Sequence, residues 1–211
     1  LKYVDFDVRY PPEWTADPSA ETPEMLPDPV PLAETWAAME ELVKAGLVKE
    51  IGVCNYNTGL LHDLMAYSTI KPAMLQIESH PYLTQERLLR VAAQYDIAVT
   101  AFSPLGALSY VELEMADTGE SVLEQLPVQE AAKRLNRTAA QVVLRWGVQR
   151  GAAVIPKTSQ VGRLKENLAL FDFSLNDEEM RAISALNTNR RFNDPGHFCA
   201  EAFGCFYPIY D

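Results

Sequence analysis

At 211 residues, 48% of them hydrophobic, the chain is long enough to bury a substantial core, and its formal charge of -11 argues against a nucleic-acid partner. No apolar run approaches the roughly 18 residues of a membrane span, so no membrane association is expected. The three cysteines, Cys54, Cys199 and Cys205, form no CxxC pair, and His62, His80 and His197 are scattered. This pattern fits a reduced, cytoplasmic protein and offers no metal site.

The start, Leu1-Lys2-Tyr3-Val4-Asp5, carries neither an initiator Met nor a signal peptide, so residues before Leu1 are expected. Val4, Phe6, Val8 and Tyr10 alternate with charged residues, the period of a short strand, which Pro11-Pro12 ends. Pro18, Pro23, Pro27, Pro29 and Pro31 then forbid regular helix and predict a long loop, ordered by Tyr10, Trp14, Met25 and Leu26.

Leu32, Trp36, Met39, Leu42 and Val43 recur at helical spacing, and Gly46 stands in the usual C-terminal position. A strand is predicted over 48–53, a helix over 60–67, a strand over 74–77, a helix from Thr84 to Tyr95 and a strand over 97–101. Residues 106–127 show no period and are predicted to be loop. A helix over 128–135 follows, and Thr138-Ala139-Ala140-Gln141 is a capping box for another that ends at Gly151. A strand over 153–155 and a helix reaching Leu170 come next. Asn176 caps a last helix with Asp177, Glu178 and Glu179 in its first turn, where acidic residues complement the helix dipole.

Short, uninterrupted apolar strands alternating with helices describe a parallel sheet covered on both faces. No G-x-G-x-x-G follows a strand and no Walker sequence occurs, which removes the Rossmann and P-loop folds. A β/α barrel remains. A closed one needs eight strands and about 250 residues, so the chain is expected to be roughly half of a (β/α)8 barrel in a single domain. Residues 1–31 would be a loop segment, 32–171 βα units, and 172–211 a C-terminal helix and substrate loop.

Function in such barrels gathers where strands end. The segments there are Cys54-Asn55-Tyr56, Glu78-Ser79-His80-Pro81, Phe102-Ser103-Pro104-Leu105-Gly106 and Pro156-Lys157-Thr158-Ser159. The last places a cation, two hydroxyls and a helix start together, with Arg163 one turn on, the chemistry of an anion site. A solvated helix start is the plainer alternative. Gln76 could simply satisfy backbone groups, His80 reads as a packed histidine, and Glu78 could be a structural ion-pair partner. Residue chemistry alone also leaves another phosphate-binding barrel, an isomerase or aldolase.

Several segments resemble the aldo-keto reductase family. They are Gly52-Val53-Cys54-Asn55-Tyr56, Gln76 to Leu83 (QIESHPYL), Ala101 to Gly106 (AFSPLG), and Ile155 to Ser159 with Arg163, Glu166 and Asn167. Arg191-Phe192-Asn193-Asp194-Pro195 and the segment from Lys2 to Pro12 resemble the xylose/aldose reductase branch. The resemblance implies a TIM barrel that binds NADP(H), of which this chain supplies roughly the second half. It implies that Asn55 and Gln76 hold the nicotinamide carboxamide. Cys54 replaces the usual Ser, and Phe102 the usual stacking Tyr. Ser103 and Leu105 would line the pyrophosphate path. Lys157, Thr158, Ser159 and Arg163 would grip the 2′-phosphate, with Glu166 and Asn167 at the adenine and Asn193 as a substrate contact. No residue matches the family's catalytic tetrad, which the resemblance assigns to the units before Leu1. The expectation is a cytoplasmic NADPH-dependent reductase of aldehydes or aldoses, with a homodimer implied by the same branch. The alternative is a catalytically silent cofactor-binding or structural subunit.

Overall fold

The computed structural model describes residues 17, 19–21, 29–111, 115–197, 200, 206 and 208–210. The strand expected over residues 4–10 and most of the proline-rich loop lie outside them, as do Cys199 and Cys205. The chain divides into two compact units: Pro31–Phe192, and Leu1–Val30 together with Asn193–Asp211.

The unit Pro31–Phe192 is a run of βα repeats. In chain order these are α1 (Leu32–Lys44), β1 (Gly52–Cys54), α2 (Thr58–Tyr67), β2 (Met74–Glu78), α3 (Glu86–Gln94) and β3 (Ala98–Phe102). Then come the short α4 (Leu108–Val111), α5 (Leu126–Leu135), α6 (Ala139–Gln149), β4 (Ala152–Val154), α7 (Val161–Leu168) and α8 (Asp177–Ser184). The four strands form one sheet in the order β1-β2-β3-β4, every pair parallel.

The pleat sorts the side chains. Leu75 and Ile77 of β2, Val99 and Ala101 of β3, and Ala152 of β4 pack in one core with Leu61 of α2 and Leu88 and Ala92 of α3. Their neighbours in register, Cys54, Gln76 and Thr100, take the opposite face. A second core joins α5, α6 and α8 through Val128, Ala131, Val142, Val143, Trp146 and Ile183. Each such large side chain contributes about 1.5–3 kcal/mol on burial. Trp36 of α1 packs with Ile51 and Leu64, and its Nε1–H donates to the Ile70 carbonyl at 3.0 Å. Buried Glu40 accepts the Thr69 and Ile70 N–H groups and docks α1 on the turn before β2.

Several boundaries differ from the sequence expectation. The first strand starts at Gly52, not Val48, because the end of α1 is a Schellman motif. The Gly46 N–H donates to the Val43 carbonyl and the Leu47 N–H to the Leu42 carbonyl, with Gly46 at φ 70°. The third helix starts at Glu86, not Thr84. Gln85 is left-handed at φ 54°, and Thr84 is engaged elsewhere: its N–H donates to Asn187 Oδ1 and its carbonyl accepts Arg150 Nη2. The segment expected to be loop over 106–127 holds α4 and two 3-10 turns, Thr118–Glu120 and Val122–Glu124. Helix α5 begins at Leu126 with Pro127 in its first turn, where its missing N–H costs nothing. The capping boxes at Thr138 and Asn176 are both formed.

In the other unit, Ser19 donates through both its N–H and its hydroxyl to Asp17 Oδ1. Asp194 Oδ1 accepts the Gly196 N–H at 2.8 Å. A side chain at Gly196 would come within 3.1 Å of Pro208 Cβ and of Asp194 Oδ1, so one there would have to push these neighbours aside.

Candidate functional site

The C-terminal ends of the four strands carry the polar residues singled out above, and the parallel order sets them side by side. With neighbouring strands about 4.8 Å apart, this row is about 14 Å wide.

At the end of β1, Cys54 is exposed and Asn55 turns the chain at φ 60°, a conformation Asn tolerates. The Asn55 N–H donates to the Gln76 carbonyl at 2.9 Å, fixing it beside β2. Its side-chain Oδ1 is buried and has no hydrogen-bond partner among the described residues. A buried amide oxygen without a donor costs about 1–3 kcal/mol. It is the kind of atom that fits the N–H₂ of a carboxamide ligand. Gln76, half-buried, lies next to it on the sheet face away from the core. Tyr56 instead packs against the two cores nearest β1, and burial, followed by the nearby Tyr67, pushes its hydroxyl above the usual phenol range.

Beyond β2, Glu78 and His80 are fully buried. His80 Nε2–H donates to Glu78 Oε1 at 2.9 Å, and the same oxygen accepts the Phe192 N–H at 2.8 Å. Arg191 Nη1 lies 3.9 Å from Glu78 Oε2. Glu78 thus ties the end of β2 to the segment that follows α8. That segment is also held by Thr188 and Arg190, whose N–H groups donate to the Tyr82 carbonyl.

At the end of β3, Phe102 is half-buried and Ser103 is left-handed at φ 47°. The Gly106 N–H donates to the Ser103 carbonyl at 2.9 Å, closing a tight turn. Gly106 sits at φ 71°, a conformation that favours glycine, and an added side chain would also crowd Val122 Cγ2 at 3.1 Å. Ser103 Oγ lies 2.7 Å from Tyr110 Oη. Leu105 packs against the core that includes Val122.

After β4, Lys157, Ser159 and Arg163 are exposed and Thr158 is half-buried. Thr158 Oγ1 accepts the Gln160 N–H at 3.1 Å. The N-cap residue of α7, Gln160, makes no side-chain capping bond, which leaves the first N–H groups of the helix suited to an anion. None of the ion pairs among the described residues uses Lys157 or Arg163. Glu166 is exposed and Asn167 half-buried on the same helix. Buried Gln141 donates to the Glu166 and Ala169 carbonyls and fixes the end of α7 on α6. Asn193 belongs to the other unit, where it is half-buried.

Residue patterns missed Tyr110 and the Glu78–Phe192 bond. Tyr110 lies in α4, a helix too short to show a period. The bond joins residues 114 apart in sequence. Among the described residues there is no group of three His, Cys, Asp or Glu that could hold a metal, and no helix long and apolar enough to cross a membrane.

The model of the aldo/keto reductase family matches residues 10–188. A probable NAD(P)H-dependent D-xylose reductase of Arthroderma otae is 46% identical, across 100% of this chain and 62% of its own length. One of Emericella nidulans is 47% identical, across 94% of this chain and 61% of its own length. The chain therefore spans less than two thirds of these relatives. Among solved structures, an aldo-keto reductase of Bombyx mori in complex with NADP matches at a TM-score of 0.74 and 33% identity, over 81% of this chain and 55% of that one. An aldose reductase of Schistosoma japonicum matches at 0.74 and 34%, over 89% of this chain and 57% of that one.

Proposed function

This chain belongs to the aldo/keto reductase family, and from that premise we propose that the protein reduces an aldehyde or aldose carbonyl to the alcohol with NADPH. The observation that carries this reading is the buried Oδ1 of Asn55, without a partner among the described residues, just past the end of β1 and beside Gln76 of β2. When bound, the nicotinamide supplies a hydride to the carbonyl carbon.

The chain's own residues would bind and orient. Asn55 accepts from the carboxamide N–H₂, and Gln76 completes that grip. Phe102 offers a flat face for stacking in place of the usual Tyr. Cys54 stands where the family carries Ser, so one hydroxyl contact is weakened. Ser103 and Leu105 border the pyrophosphate. Lys157, Thr158, Ser159 and Arg163 hold the 2′-phosphate through charge-assisted bonds, while Glu166 and Asn167 meet the adenine. Asn193 would contact a substrate hydroxyl. No residue of this chain is assigned the proton-donating role. The names of the fungal relatives support a pentose aldose as substrate. A cytoplasmic homodimer belongs to the same proposal.

Lys157→Met in the whole protein tests the reading. NADPH affinity should fall about tenfold or more, the loss of a bond between charged groups, while NADH affinity stays nearly constant. Equal losses for both cofactors would remove the 2′-phosphate assignment. NADPH binding without turnover of any aldehyde would favour a silent cofactor-binding subunit.

A further inference from the structure

We propose that Tyr110 is a positioning residue for the cofactor, acting through Ser103, and that the segment after α8 holds Tyr110 in place. The proposal rests on the cofactor reading above and deepens it. Ser103 is a non-glycine residue in the left-handed region, at φ 47°. That backbone is unfavourable for serine, so its persistence needs support from its surroundings. The turn bond from Gly106 supplies part of it. The hydroxyl of Ser103 is fixed separately, by Tyr110 Oη at 2.7 Å. Without that partner the hydroxyl would rotate among its staggered positions.

Tyr110 is itself held on its ring face. It is buried and stacks on Phe192, with ring centroids 5.7 Å apart and planes 17° from parallel. Phe192 is 2% exposed. Its N–H is bonded to Glu78, its ring lies 5.2 Å from that of His80, and the Arg190 guanidinium sits 4.7 Å over it. Arg190 in turn pairs with Glu120 at 2.8 Å. A continuous set of contacts therefore runs from buried Glu78 through Phe192 and Tyr110 to the hydroxyl of Ser103. The residues that close this unit in sequence thereby set a side chain at the end of β3. The ligand group they serve is the phosphate bordered by Ser103.

The test is a double-mutant cycle in the whole protein, read as the NADPH dissociation constant by fluorescence. Tyr110→Phe removes the hydroxyl and keeps the ring and its stack. It should weaken NADPH about fivefold, the range of one neutral hydrogen bond. In a Ser103→Ala background the same change should have almost no effect, because its target is gone. A merely structural role would lower the melting temperature and leave the effect on NADPH equal in both backgrounds, which would overturn the proposal. So would an unchanged NADPH affinity in Tyr110→Phe. If the unaltered protein does not bind NADPH, this proposal and the cofactor reading fall together; if it binds and the effects add, this one falls alone.

Discussion

Glu78 shows how one side chain can serve packing and geometry at once. Its carboxylate is fully buried, and its Oε1 accepts from His80 and from the Phe192 N–H. Removing it would leave two buried donors without an acceptor. Glu78→Leu should cost about 3–5 kcal/mol, the cost of breaking a buried pair from one side. Glu78→Gln should cost less than half as much, since an amide oxygen can still accept. Urea midpoints of the two variants check this, and equal losses would mean that Glu78 acts by shape alone. The sequence supports reading Glu78 as an ion-pair partner and His80 as a packed histidine, because buried residues of these types need partners. It does not reveal Phe192 as the partner, since a backbone N–H has no residue-type signature. The positions of Asn55, Ser103 and Lys157 just past strand ends were legible, because short uninterrupted apolar runs show where each strand stops.

At the scale of elements, the capped helix starts of α6 and α8 were legible and the start of β1 was not. The capping boxes of α6 and α8 are local chemistry written in adjacent residues. The start of β1 instead depends on where the Schellman turn after α1 releases the chain. Helix α8 is fixed twice over. Asn176 Oδ1 accepts the Glu179 N–H, while Glu179 also pairs with Arg134 of α5 through two bonds of 2.5 and 2.6 Å. Asn176→Ala should cost about 1 kcal/mol by denaturant titration. The Glu179 carboxyl is held below the usual carboxylate range, chiefly by the hydrogen bond from Arg134. Glu120 is lowered in the same way by Arg190. A carboxyl whose folded pKa is depressed stabilises the fold above its unfolded value, about 4.3 for Glu. That contribution is lost as pH falls through the lower folded value. Stability should therefore decline below about pH 4.3, and Glu179→Gln should flatten this acid limb. An acid limb of unchanged slope would mean that the pair contributes nothing to it.

On the scale of the whole chain, the sheet of the Pro31–Phe192 unit poses a problem that its own residues leave open. Among the described residues no strand pairs with the outer side of β1 or β4. Helix α7 has no buried residue, and Val161, Leu168 and the following Phe171 are 72%, 77% and 76% exposed. Met74 and Ile155 add apolar surface on the sheet face away from the helix-packed core. Unpaired strand edges beside exposed apolar side chains are a template for association. The 211-residue chain produced by itself should therefore associate as its concentration rises, seen as a growing sedimentation coefficient in ultracentrifugation. Placing a charge on the exposed side of α7, as in Leu168→Lys, should reduce the association without loss of helical signal, because Leu168 is 77% exposed. A single monomeric species at every concentration would mean that these edges and the α7 stripe are covered within the chain itself. Association that Leu168→Lys leaves intact would place the sticky surface on the strand edges instead.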